Sequence, residues 1–483
     1  MLFNSMAFAI FLPIVFALYW LLPHRFRWVL LLVSSYYFYM SWDARYLLLI
    51  LFTTLVSYVA ARRIETAVTK KKKKICVAAA LTVSLGVLFF FKYYNFFATS
   101  LTETLQKYAI EVHPKTLAVI VPVGISFYTF QTLSYVIDVY RGDIKAEHHF
   151  GKYAAFISFF PQLVAGPIER SKNLLPQIRE ERKFDYDQAS YGVLLMVWGF
   201  FKKLVVADNL AIHVDAIYGN INNYTGLPLV AAVLFFALQI YCDFSGYSDI
   251  AIGTAKLFGI NLMANFKSPY FSASIKEFWS RWHISLSTWF RDYVYIPMGG
   301  SRVGKIRHAW NLLVTFLASG LWHGAAWTYV YWGGVHGAAQ ILESNLLPGK
   351  GKIKEDVKHT PFWWIRVLLV FLFCCAAWVL FRAENMGTVI YIFQNMWKGI
   401  GEFDLYWKNG VLQLGMSDVE PYLLGGVIFL LAVYDYLSLR RDVILSLKKL
   451  PAVLRYSVYV LVLLIVIVLS PTDSSKEFIY FQF

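Results

Sequence analysis

The sequence predicts an all-α polytopic membrane protein, and three observations carry that prediction. Of 483 residues, 58% are hydrophobic and 18% aromatic, and only 16% are charged. Soluble domains lie nearer half apolar and a quarter charged. The apolar residues fall in long runs, enough for roughly 11–12 transmembrane helices at about 20 residues each. The basic residues fall in alternate loops, the bias that cytoplasmic loops carry.

The runs and their breaks place spans near residues 4–22, 28–41, 46–61, 75–97, 117–140, 189–207, 227–255, 310–328, 330–346, 362–382, 422–438 and 452–470. The first has no basic lead and no small-residue cleavage site, so it reads as a retained helix and not a signal peptide. Arg25 and Arg27 follow the first span, and Arg62, Arg63 and Lys70 to Lys74 follow the third. The stretches Arg141 to Arg182, Lys256 to Arg307 and Lys350 to Lys358 are also basic, as are Arg440, Arg441, Lys448 and Lys449. With these loops inside, both termini face outward. The two spans within 310–346 are short and closely spaced; if one is re-entrant, the C-terminus moves to the cytoplasm. The net charge of +15 follows from the same loop bias and from anionic lipid, and needs no nucleic acid. Cys76, Cys242, Cys374 and Cys375 lie in apolar runs without zinc spacing and read as small hydrophobes. The chain reads as one integral membrane domain: N-terminal helices over 1–140, a core with re-entrant segments over 141–346, C-terminal helices over 347–470 and an aromatic tail over 471–483.

Several stretches are too polar for lipid-facing helices. PVGISFYTFQTLSYVIDVYR, residues 122–141, alternates polar and aromatic faces at helical spacing. FFPQLVAGPIER, residues 159–170, has two prolines and a glycine in an apolar frame, which predicts a broken segment whose backbone must be covered by protein or by a cavity. YCDFSGYSDIA, residues 241–251, sets Asp243 and Asp249 at membrane depth, where acids must be paired, neutral or in water.

The stretch Phe278 to Gly337 organises the rest, because it places four histidines in an aromatic, apolar setting. His323 ends an apolar run after Trp322 and precedes Gly324, so the backbone there can pass close to a neighbour. It suits a general base that takes the proton from a hydroxyl attacking an acyl carbonyl; a buried histidine bonded to a carbonyl accounts for it equally. His283, in Trp282-His283-Ile284-Ser285-Leu286-Ser287, lies 40 residues before His323, and capping or packing competes with catalysis there. Pro297-Met298-Gly299-Gly300-Ser301-Arg302 is expected to turn tightly and to offer amide N–H groups to an anion. His336 and His308 read as packing and interface residues, respectively. The motifs of zinc sites, nucleotide-binding loops and serine hydrolases are missing, so no metal site is assigned. The tail Lys476 to Phe483 stays aromatic where a chain end is usually polar. It is either an interfacial anchor or a segment inserted into a cavity, where the Tyr480 hydroxyl would carry a group.

At these residues the chain resembles the membrane-bound O-acyltransferase (MBOAT) family, in its bacterial alginate and peptidoglycan O-acetyltransferase branch. The matching pieces run nearly end to end: MLFNSMAFAIFLPIVFALYWLLP, PVGISFYTFQTLSYVIDVYRG, FFPQLVAGPIER, FKKLVVADNLA, YCDFSGYSDIA, FWSRWHISLSTWFRDYVYIPMGG, SGLWHGAAWTYVYWGGVHG and FIYFQF. The resemblance implies a ring of helices around a central funnel or tunnel in a bacterial cytoplasmic membrane. It implies His323 as the catalytic histidine of the Trp-His-Gly motif and His283 as the second family position. The tail is similar to the tyrosine-bearing end of a small membrane peptide that accompanies the related D-alanyl transferases, which makes Tyr480 a candidate acyl relay.

The function expected on this basis is acyl transfer, most simply of acetyl, from a cytoplasmic donor to an extracytoplasmic polysaccharide such as alginate or peptidoglycan. No tightly bound cofactor is implied. The donor is acetyl-CoA by resemblance, or an acyl carrier protein, and Lys202, Lys203, Arg281, Arg291 and Arg302 are its candidate contacts. Asp243, Asp249 and Trp322 are candidates for supporting the histidines. A partner of the SGNH-esterase type is implied outside the membrane. Two other readings stand beside this one: an acyltransferase that modifies lipid or protein, and a secondary transporter that uses the buried acids and histidines as a proton relay.

Overall fold

The computed structural model describes residues 1–110, 112–114, 116–346, 360–471 and 478–479, and these are helical, with no strand among them. In chain order the first helices are α1 (Met6–Leu21), α2 (His24–Met40), α3 (Leu47–Thr66), α4 (Lys70–Leu88), α5 (Tyr94–Gln106), α6 (Ile125–Arg141) and α7 (Phe150–Ser158). There follow α8 (Ser171–Arg179), α9 (Tyr186–Phe200), α10 (Asp208–Gly219), α11 (Leu227–Leu257), α12 (Ile275–Arg281), α13 (Ile284–Phe290), α14 (Lys305–His323) and α15 (Trp327–Leu346). The last are α16 (Pro361–Arg382), α17 (Met386–Asn395), α18 (Phe403–Gln413), α19 (Glu420–Ser438), α20 (Val443–Lys448) and α21 (Ala452–Leu469). Hydroxyl side chains start several of them: Ser5, Thr69, Ser274 and Thr360 each accept an amide N–H of the first turn.

Among the described residues, 7 helices are long and apolar enough to cross a membrane: Ala44–Thr66, Lys70–Gln106, Tyr186–Gly219, Leu227–Leu257, Pro361–Arg382, Glu420–Ser438 and Ala452–Leu469. The protein is therefore a multi-pass, all-α membrane protein. The other five expected spans each contain a helix, but the one expected at 117–140 is helical only from Ile125, and the one at 310–328 ends its helix at His323. Of these, α1, α2 and α6 have only 16, 17 and 17 residues, short of the roughly 20 that a bilayer core requires. No residue of α21 is buried, and an apolar helix with no protein cover needs lipid around it. The α11 window is 72% buried, and α11 carries the acids of the site.

The chain divides into two compact units, Met1–Val193 with Ala251–Met263, and Leu194–Ile250 with Ala264–Phe483. In the first, α6 is buried along nearly its whole length. Residues 159–170 form no helix and are all buried, as the prolines and glycine predict. The Ser35 hydroxyl accepts from Phe160 N in this irregular backbone at 3.0 Å, and just before it, in the last turn of α7, the Phe156 carbonyl accepts from the Gln131 and Gln162 amides at 3.1 and 3.0 Å. Gly124 has φ +75°, and a Cβ there would stand 2.8 Å from the Leu163 carbonyl oxygen.

In the second unit, α14 and α15 form an antiparallel hairpin joined by residues 324–326. Glycines let the two backbones touch. A Cβ on Gly320 would lie 2.2 Å from the Tyr329 carbonyl oxygen, and one on Gly333 would lie 2.3 Å from that of Phe316. Small residues allow this approach where lipid gives helices no hydrophobic drive to associate. A π-helical segment, Phe201–Ala207, follows α9 and carries Lys202 and Lys203. Gly199 and Gly246 meet beside it, each with a Cβ position 2.7 Å from the other's carbonyl oxygen. This close crossing brings the two lysines against α11.

Candidate active site

His323 is the last residue of α14 and is 3% exposed. Its ring is enclosed by Trp322, Trp332 and Phe381, with centroids 5.0, 5.1 and 5.3 Å away and all nearly edge-on. Gly324 follows in extended backbone, and the Tyr329 ring occupies the place where a side chain at that position would go. The close approach that the sequence anticipated at Gly324 is thus made by Tyr329.

His283 is fully buried and sits one residue before α13 with φ +42° and ψ +55°. This left-handed conformation is uncommon for a residue with a Cβ, although histidine tolerates it better than most. The imidazole makes no cap bond to α13. Asn265 does that work instead. Its carbonyl oxygen accepts Ile284 N at 2.8 Å, and its side-chain Oδ1 accepts Ser285 N at 3.4 Å and the Ser285 hydroxyl at 2.6 Å. Asn265 Nδ2 in turn donates to the Ser248 hydroxyl at 3.1 Å. The ring of His283 is released toward His323, 6.5 Å between centroids, and toward Trp322 at 6.0 Å. Burial alone pushes the His283 imidazole down to about 3 from its ordinary 6.5, so it stays neutral at physiological pH.

The acids of α11 are paired. Asp249 meets Lys202 at 2.6 Å, and Lys203 bridges Asp243 at 2.6 Å and Asp208 at 2.8 Å. The chain end meets the same group: Ile479 N donates to the second oxygen of Asp243 at 2.6 Å. Phe478 and Ile479 are 2% and 3% exposed. The Phe478 ring packs on Tyr247 and Phe244, at 4.7 and 5.6 Å. Phe244 also stands edge-on to His283 at 4.6 Å. Of the two readings of the tail, these two residues follow the inserted one. Tyr480 lies outside the described residues.

The candidate donor contacts separate. Lys202 and Lys203, expected to meet an anionic donor, are 4% and 5% exposed and hold carboxylates inside the unit; a lysine at this depth needs such a partner. Arg281 pairs with Glu277 at 2.6 Å, and the exposed Arg291 with Asp292 at 2.8 Å. Arg302 is exposed. The loop before it turns tightly, with Gly299 and Gly300 at φ +109° and +55°. Its amides do not face outward for an anion, because Gly299 N and Gly300 N donate to the carbonyls of Ile296 and Tyr295 at 2.9 and 3.0 Å. His336 packs as expected: fully buried, it accepts Trp279 Nε1 at Nδ1, 3.3 Å away.

Three polar contributors were not singled out in the sequence: Asn265, Asp208 and Asp435. The Asp435 carboxylate accepts the Tyr241 hydroxyl at 2.7 Å. Asn265 and Asp435 lie 20 and 194 residues from Ser285 and Tyr241, whereas Asp208 lies five residues after Lys203.

Comparison with known proteins shows the family. Residues 143–381 match the family model described as MBOAT, membrane-bound O-acyltransferase family. The chain is 39% identical over 419 residues to a probable alginate O-acetylase AlgI of Pseudomonas putida, covering 86% of this chain and 84% of that protein. It is 33% identical over 428 residues to a peptidoglycan O-acetyltransferase of Helicobacter pylori, covering 82% and 80%. Similarity extends to a teichoic acid D-alanyltransferase of Streptococcus thermophilus, at 30% identity over 54% of this chain and 67% of that protein.

Proposed function

Because this chain belongs to the membrane-bound O-acyltransferase family, we propose that it takes an acetyl group from a cytoplasmic thioester donor and delivers it for O-acetylation of an extracytoplasmic polysaccharide. The observation that carries the reading is the meeting of His283 and His323 at 6.5 Å in a buried aromatic setting. At that spacing both imidazoles can contact one small reacting group placed between them.

In this mechanism His323 removes the proton of an acceptor hydroxyl as its oxygen attacks the thioester carbonyl. The new C–O bond forms, the C–S bond breaks, and the proton passes to the departing thiol. Neutral His283 steadies the carbonyl oxygen or the acceptor. A positioned general base of this kind contributes about 10²–10⁴-fold. The donor is acetyl-CoA or an acyl carrier protein, and Arg291 and Arg302 are suited to its phosphates by exposure and charge. Tyr480, or a serine of a partner, is the first acceptor. A partner of the SGNH type then passes the group to a polymer of the alginate or peptidoglycan kind. The site of action is the bacterial cytoplasmic membrane.

The experiment is the release of ester acetate by mild base from envelope polysaccharide. Cells carrying the native chain are compared with cells carrying His323→Ala at equal membrane abundance. Loss of acetate is expected; unchanged acetate would sink the role of His323.

A further inference from the structure

We propose that Asp243, held by Lys203, which also pairs with Asp208, is a docking site for the chain's own C-terminal segment, and that it positions this segment beside His283. The inference rests on the acyltransfer reading above for its consequence, but not for the docking itself.

The two carboxylate oxygens of Asp243 have separate work. Oδ1 faces the Lys203 ammonium at 2.6 Å, and Oδ2 accepts the main-chain N–H of Ile479, also at 2.6 Å. Lys203 spends its remaining reach on Asp208 at 2.8 Å. A buried carboxylate without a cation would be costly at this depth. The lysine therefore allows Asp243 to offer a charged acceptor to a peptide N–H, and such charge-assisted bonds are stronger than neutral ones.

Beside this polar contact lies an apolar one, because Phe478 packs on Tyr247 and Phe244. Asp243, Phe244 and Tyr247 are neighbours on α11, so one helix supplies both halves of the receptor. The ligand it fits is a peptide segment with an aromatic ring followed by a main-chain N–H. Recognition of the N–H reads the backbone and not the side chain at 479. Phe244 is shared, touching Phe478 on one side and the His283 ring on the other. Docking of the segment and placement of His283 are thereby coupled through one ring, which makes Asp243 a positioning residue.

The test is hydrogen exchange on the full chain in nanodiscs, followed by mass spectrometry of the peptide covering residues 471–483. Asp243→Ala is expected to speed exchange of that peptide at least tenfold, with the α13 peptide still protected. Asp243→Glu should restore much of the protection. Equal protection of the terminal peptide in the native and Asp243→Ala proteins overturns the proposal. If Asp243→Ala disturbs insertion, Ile479→Pro removes the donated N–H without touching α11, and Ile479→Ala keeps it. A tenfold or greater loss of acetyl transfer by the proline variant against the alanine variant supports docking, and equal transfer by the two overturns it. Loss of protection combined with unchanged acetate in the His323→Ala cells would keep the docking site and remove the transfer mechanism, so the two failures are distinguishable.

Discussion

The rings of His283 and His323 stand 6.5 Å apart, although one precedes α13 and the other closes α14. Two devices set this distance. Asn265 caps α13 from across the unit, and glycine contacts lock α14 to α15. Each device gives a prediction.

Asn265→Ala leaves the main-chain carbonyl that receives Ile284 N but removes the side-chain bonds to Ser285 and Ser248. Losing bonds from a buried polar group costs about 1–3 kcal/mol. We expect a lower melting temperature in detergent and at least a tenfold loss of acetyl transfer. Full transfer at a lowered melting temperature would show that Asn265 serves stability alone.

Gly333 and Gly334 are adjacent, yet alanine should act oppositely at the two. At Gly333 the new Cβ would sit 2.3 Å from the Phe316 carbonyl oxygen, so the hairpin must open. At Gly334 the nearest atom is Leu317 Cδ2 at 3.7 Å, an ordinary contact. Alanine is better than glycine inside a helix by roughly 0.5–1 kcal/mol. Thermal unfolding should fall by several degrees for Gly333→Ala and hold or rise for Gly334→Ala. Equal behaviour would count against backbone contact as the hairpin's constraint.

The burial of His283 is expected to make the protein acid-sensitive below pH 6.5. Its folded pKa is pushed down to about 3 by burial, below the unfolded 6.5. Between these values the unfolded chain binds a proton that the folded chain does not. The stabilisation is therefore whole above pH 6.5 and declines as pH falls, by about 1.4 kcal/mol per unit. His283→Asn keeps a residue that tolerates left-handed backbone and removes this titration. The gap in melting temperature between pH 7 and pH 5 should be smaller for the variant than for the native chain.

Arg302 is exposed, so any help it gives an anionic donor acts through solvent and is screened by salt. Arg302→Ala should raise the apparent KM for the donor at low ionic strength, and the difference from native should shrink as salt is added. A KM difference that is constant across the salt series would mean that the arginine does not act by charge.

The membrane class, the helices and the two histidine motifs were legible because hydropathy and helical period are local properties. The broken segment 159–170 was legible for the same reason: its prolines and glycine announce a backbone that cannot stay helical. The lysines show where local reading ends. As neighbours in a basic motif, Lys202 and Lys203 suggested an anionic ligand; the π-helical turn and the Gly199–Gly246 crossing place them against Asp249, Asp243 and Asp208 instead. Likewise, two glycines promised a loop with open amides, but those amides close on carbonyls within the loop.

By itself, the sequence determined that this chain is a multi-pass helical membrane protein with an acyltransferase's motifs, since composition and short patterns do not depend on distant partners. Only the tertiary structure decided which cation meets which acid, that Asn265 caps the helix after His283, and that Phe478 and Ile479 return to α11. Apart from Lys203 and Asp208, five residues apart, these join groups well separated along the chain, and such contacts depend on how helices cross, which no local periodicity encodes.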